Sequence, residues 1–323
     1  MDDTLKTLED ILKILWRSKL RVLELKGLYP DGPTNGAMRR FASFMNTFLM
    51  QQKNLETFSL KDTNFEDKFV TEFLEILGKS SGEKIKVMCL INSYEDYDDL
   101  HYRPIHAFDI VLKKFTNLQS LTMEYLSEAL LQNLSKSLGT NFKYLNLTVS
   151  HLEASISDTA WVALKKSCPD LVVTFHVDGI LGAVLTPSIP LISLTVAKPL
   201  SQEFEIANIA TLYQHTLEEL HIENHFGEQE LSEDFCKHLA SFQRLRKFSM
   251  SMMIKTEANI KFLRAFGEVL KRPNSLTDVK FKYRDSRTIG SKVLKEIEKL
   301  KEESVNGGLL LNVDLLVPGQ DYF

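Results

Sequence analysis

The chain has 323 residues, 39 basic and 43 acidic side chains, a formal charge of −4 and 44% apolar residues. That length can bury a substantial core in one elongated domain or two compact ones, and so balanced a charge supplies no global field that would draw the chain to nucleic acid or an anionic membrane. Cys89, Cys168 and Cys236 are too few for a disulfide framework, no run approaches the roughly 18 apolar residues of a membrane span, and the acidic start Met-Asp-Asp-Thr-Leu-Lys lacks the apolar centre of a signal peptide, so the expectation is a soluble intracellular protein, cytoplasmic or nuclear.

Residues 4–16 carry Leu5, Leu8, Ile11, Leu12 and Leu15 at helical spacing, with Asp2 and Asp3 at the positive end, which predicts an N-terminal capping helix within residues 1–19. Leu20, Leu23 and Leu25 then open a pattern of apolar positions at i, i+3 and i+5, the signature of the short strand in a leucine-rich repeat. A Gly/Pro loop follows over 27–36, and 37–51 sets Met38, Phe41, Phe44, Met45, Phe48 and Leu49 along one helical face.

The same sequence of strand, loop and helix recurs. Leu55, Phe58 and Leu60 precede a helix predicted at about 66–78; Ile85, Met88 and Leu90 precede an acidic, tyrosine-bearing loop over 92–104 and a helix ending near Phe115. Leu118, Leu121 and Met123 lead to a helix at about 127–138, and Phe142, Leu145 and Leu147 form the fifth strand. The sixth is read as Val172, Phe175 and Val177, with a register slip to Leu171 and Val173 left open. Five more follow, beginning at Leu191, Leu217, Leu245, Leu276 and Leu310; between those starting at Leu245 and Leu276, Phe262, Phe266, Val269 and Leu270 show the helical spacing well.

One such pattern means little at this apolar content, so recurrence carries the reading. From Leu20 to Leu310 there are ten intervals, a mean period of 29 residues, and only seven of the 33 positions between the anchors are apolar. A single strand–helix unit cannot bury its own apolar face, whereas a stack can. The fold class predicted is therefore α/β: one leucine-rich-repeat solenoid, a horseshoe of about eleven irregular repeats over 20–323, with a parallel concave sheet and helices on the convex side. The position that usually carries Asn or Cys to satisfy the loop backbone is here Leu28, Thr63, Leu126, Ser150, His225 and Arg284, so other groups must do that work. A doubly wound enzyme sheet is the competing fold, and no Gly-rich loop follows a strand to support it.

No phosphate-binding loop, nucleophile elbow or Cys-x-x-Cys pair is present. His221 and His225 are spaced four apart, but at a strand end that spacing does not put both on one face for zinc. Cys89 has no base nearby in the predicted register, and core packing is the simpler role for Cys89, Trp161 and Cys168. The chain is thus expected to be non-enzymatic, with no catalytic, metal or cofactor site. The outward strand positions, Glu24, Lys26, Lys61, Glu124, Tyr144, His176, Glu219, His221, Glu223, Lys247, Lys280 and Lys282, line a wall suited to a protein target; a plain solvated face is the alternative. Tyr94, Tyr97 and Tyr102, set among acidic groups in one loop, are a second candidate contact, since tyrosines give contact area at low entropic cost.

The run Trp161-Val-Ala-Leu164-Lys-Lys-Ser-Cys168-Pro169-Asp-Leu171 resembles the W-x-x-L-x-x-x-C-P-x-L bridge of F-box proteins with C-terminal leucine-rich repeats, and Phe115–Leu121 and His215–Leu220 resemble the divergent "F-box only" members. The similarity spans about residues 20–285. It implies the substrate-recognition part of an SCF-type ubiquitin ligase, in which an F-box docks the Skp1–cullin machinery and the repeats hold the target. Residues 1–19 contain neither the Leu-Pro start of an F-box nor room for its three helices, so the Skp1 contact is implied only if that module lies upstream in the native product. A stand-alone repeat scaffold or inhibitor with no ubiquitin link is the other reading.

Overall fold

The computed structural model describes residues 2–27, 35–63, 65, 67–91, 112–124, 127–149, 156–177, 184–197, 203–225, 233–253, 256–271, 275–284, 291–306 and 310–316. The chain divides into two compact units, residues 1–147 with 157–172, and residues 148–156 with 173–323.

In the first unit, α1 (Asp2–Ile14) is followed by β1 (Val22–Lys26), α2 (Asn35–Gln51), β2 (Thr57–Lys61), α3 (Asp67–Ser80), β3 (Val87–Ile91), β4 (Ser120–Met123), α4 (Glu128–Ser137), β5 (Tyr144–Val149) and α5 (Asp158–Ser167). Strands β1 to β5 pair in chain order and all in parallel. The register aligns the apolar anchors into two continuous rows: Leu23, Phe58, Met88, Leu121 and Leu145, then Leu25, Leu60, Leu90, Met123 and Leu147. Every one of these side chains is buried. Each row takes one residue from each repeat, which is the physical content of the sequence period.

Helices α1–α2 and α2–α3 pack against each other, as do α4 and α5. Phe41 stacks on Phe65 at 6.0 Å, and Phe65 meets Phe73 edge-on at 5.7 Å. Helix α4 starts where a cap is available: the Ser127 hydroxyl accepts a hydrogen bond from the Leu130 N–H at 3.1 Å. After α3 the chain turns at Gly82, where a Cβ would stand 2.6 Å from the carbonyl oxygens of both Gly78 and Lys114, so only glycine fits.

In the second unit, β6 (Val172–Val177) and β7 (Leu191–Val196) are followed by α6 (Glu203–Tyr213), β8 (Glu219–His225), α7 (Glu233–Leu239), β9 (Lys247–Met253), α8 (Thr256–Leu270), β10 (Asp278–Arg284), α9 (Ser291–Asn306) and β11 (Leu310–Leu316). These strands again pair in parallel and in chain order. Leu194, Leu220, Phe248 and Val279 form one buried row, and Val196, Ile222, Met250 and Phe281 the next. Behind them the rings of Phe248, Phe262, Phe266 and Phe281 lie 5.2–6.2 Å apart, the densest aromatic cluster among the described residues. The described residues thus show an α/β arrangement of eleven parallel strands with nine intervening or capping helices.

Several sequence expectations are corrected. Ile11 is 48% exposed rather than core, because Leu5 and Leu12 already fill the buried stripe of α1. In β6 the buried residues are Val173, Phe175 and Val177, while Val172 faces the other way; the pairing to β7 shifts register between Val173 and Thr174, so the ambiguity read there coincides with an irregularity in the sheet. In the last strand Leu310 is 58% exposed, and the pairing lies two residues away from the register the anchors imply: Leu311 rather than Val313 aligns with the buried Val279, and Val313 aligns with Phe281. The loop backbone expected to need new partners is served in two repeats by the sheet itself. Gly27 and Asp62 take left-handed conformations (φ 69° and 52°), and their N–H groups donate to Lys61 and Ile91 carbonyls, extending the ladder by one bond. Leu28, Leu126, Ser150 and most of the helix read before Phe115 lie outside the described residues. Among the described residues no helix is long and apolar enough to cross a membrane.

Candidate functional site

The strand period that buries one set of side chains turns the alternate set to the opposite face. On β8, β9 and β10 that face is polar in adjacent rows. The parallel register puts Glu219 beside Lys247 and Lys247 beside Asp278, and in the next row His221 beside Ser249 and Ser249 beside Lys280. Side chains follow suit. Lys247 Nζ lies 2.6 Å from Glu219 Oε1, His221 Nδ1 lies 2.7 Å from Ser249 Oγ, and His221 Nε2 is 3.7 Å from Glu219 Oε2. Ser193 on β7 donates to Glu219 Oε2 at 3.4 Å, and Lys280 Nζ lies 2.6 Å from Asp314 Oδ2 on β11.

Partial burial pushes the Glu219 carboxyl up, but the Lys247 ammonium outweighs it and holds the group below the ordinary range. The same contact raises Lys247. Glu223 is exposed, one row beyond His221. This region therefore brings together six of the residues expected from sequence to contact a partner: Glu219, His221, Glu223, Lys247, Lys280 and Lys282. It is a semi-exposed charge mosaic whose geometry is fixed by the sheet.

The remaining expected contacts are placed differently. Tyr144, at the start of β5, is 52% exposed, beside Ser120 in the register. Glu124, just after β4, is half-buried, and so is His176 on β6. Lys26 and Lys61 sit directly opposite each other at the ends of β1 and β2, with Glu24 opposite Ser59. Tyr94, Tyr97 and Tyr102 lie outside the described residues.

Sequence reading missed Ser249, Ser193 and Asp314, which bind the charged residues it named. Ser249 was readable in principle: it sits between Phe248 and Met250 as His221 sits between Leu220 and Ile222, and equal offsets in parallel repeats become cross-strand neighbours.

His221 and His225 both belong to β8, where positions four apart stand about 13 Å apart along the strand, too far to share one ion. The three cysteines are free and buried. Cys89 lies between Ser59 and Thr122 in the register, and burial pushes its thiol up despite those neighbours and Lys61. Burial likewise takes Cys168 up to about 11, and its Sγ donates to the Gly139 carbonyl at 3.4 Å. Neither is poised as a thiolate at neutral pH.

No family model matches the chain, and no curated protein matches it. Among solved structures, the crystal structure of PH0766 from Pyrococcus horikoshii OT3 is similar at 8% identity and a TM-score of 0.24, covering 92% of this chain and 81% of that one. A likeness at that score carries no argument about fold or activity.

Proposed function

We propose that the strand–helix units are leucine-rich repeats of a horseshoe solenoid, and that the chain is a non-enzymatic, protein-binding domain. The observation that carries this reading is the charge mosaic on β8–β10, where Glu219, His221, Lys247 and Lys280 stand in adjacent rows on one sheet face. Extended faces of this kind suit a macromolecular partner of mixed charge, since ordered charges give register and specificity more than bulk affinity.

Within that class we propose the substrate-recognition part of an SCF-type ubiquitin ligase. Support comes from the bridge resemblance over residues 161–171. Trp161, Leu164, Cys168 and Leu171 are buried and Pro169 is exposed, so four of the five matching residues are packing residues. The motif therefore supports the repeat type more strongly than the ligase role, and no Skp1-contacting residue is assigned. Affinity purification of the native full-length product tests the ligase reading: co-purification of the Skp1 adaptor and a cullin is expected. Recovery of a target protein without either would establish a stand-alone binding module instead.

A further inference from the structure

Strand β11 pairs with β10 on one side and has no strand partner on the other among the described residues. Its sequence, Leu310-Leu311-Asn312-Val313-Asp314-Leu315-Leu316, reads nearly the same in both directions about Val313. The backbone phase fits that symmetry. Leu310 N–H donates to the Thr277 carbonyl at 3.0 Å, so residues 310, 312, 314 and 316 turn their backbone groups toward β10. Leu311, Val313 and Leu315 therefore present theirs to the side away from β10. The core-facing row is also less buried at this point: Val279 and Phe281 are fully buried, whereas their neighbours in the register, Leu311 and Val313, are only half-buried.

We propose that this edge is a self-association site, at which β11 of a second copy pairs antiparallel across a two-fold axis through Val313. In that arrangement Val313 faces Val313, Leu311 faces Leu315 and Leu310 faces Leu316, so apolar positions meet apolar ones. Each of the three outward-facing pairs exchanges two backbone hydrogen bonds, about six in all. Asn312 falls opposite Asp314 twice, and its amide donates to the carboxylate oxygen that Lys280 leaves unused, since Lys280 holds Oδ2. A heterologous strand would match the edge hydrogen bonds equally well; the palindrome and the Asn–Asp complementarity select a second copy of this chain. One strand pair is smaller than a standard interface, so the dimer is weak, with a dissociation constant of about 10–100 µM.

Sedimentation equilibrium of the whole chain tests this, using three variants. Val313→Pro removes an N–H that faces away from β10, so the intrachain ladder is untouched while the central pair is lost; a monomer with unchanged far-UV circular dichroism is expected. Asn312→Asp sets like charges opposite each other twice and should weaken association about tenfold. Adding Asp314→Asn to it restores an opposite amide–carboxylate pair, and the carboxylate introduced at position 312 stands opposite Lys280 in the register, so affinity should return. If Val313→Pro does not fold, the Asn312→Asp and double-variant pair decides alone. A wild-type chain that stays monomeric at about 1 mM overturns the proposal. So does a dimer whose affinity neither folded Val313→Pro nor Asn312→Asp changes.

Discussion

At the residue scale, two side chains illustrate opposite uses of polar groups. Glu56 bridges three repeats: Arg21 Nε lies 2.6 Å from one carboxylate oxygen and Lys86 Nζ 2.8 Å from the other. Arg21 first, and Lys86 after it, hold the carboxyl down to about 2. A carboxylate depressed in the folded state contributes stability above its unfolded value near 4.5, and that contribution is lost as pH falls toward about 2. Carboxyl-detected NMR titration should place the Glu56 midpoint near the lower value, and Arg21→Ala should move it upward. Tyr283 is the reverse case. Its ring is fully buried, burial drives its hydroxyl well above the ordinary range, and that hydroxyl has no hydrogen-bond partner among the described residues. Removing an unsatisfied buried group costs nothing it had gained, so Tyr283→Phe should be neutral or stabilising in urea denaturation. A loss of stability would mean the hydroxyl has a partner in solution.

At the element scale, a strand is held by what its two rows bury. Leu121 is fully buried between Met88 and Leu145, so Leu121→Ala should cost about 2–5 kcal/mol through the cavity it opens, measured by chemical denaturation. This scale was also the most legible in sequence. Helix α4 falls inside the predicted limits with Ser127 as its cap, and the strand anchors of repeats two to five, seven, eight and nine are all buried. Legibility failed where the pattern loses contrast. Leu171, Val172 and Val173 are consecutively apolar, and so are Leu309, Leu310 and Leu311, so a period of two gives no preference between neighbouring registers there. At β11 no outer neighbour is present among the described residues, so burial does not impose a face either.

At the scale of the whole molecule, repetition explains both what sequence conveys and what it withholds. The anchors specify the scaffold because every repeat needs the same buried rows. The opposite face is free to vary, so charged residues could be placed on it, while the partners they hold there, Ser249 for His221 and Asp314 for Lys280, became visible only with the register in hand. On the proposed function, this face on β8–β10 engages a protein partner. The most direct measurement is quantitative affinity capture from cells, comparing the wild-type chain with Glu219→Lys/Glu223→Lys, with Lys280→Glu/Lys282→Glu, and with Lys261→Glu on the exposed side of α8 as a control. Proteins captured by the wild type and by the helix variant, and lost from at least one folded sheet-face variant, are the predicted result. An unchanged set of captured proteins across all three variants would contradict it.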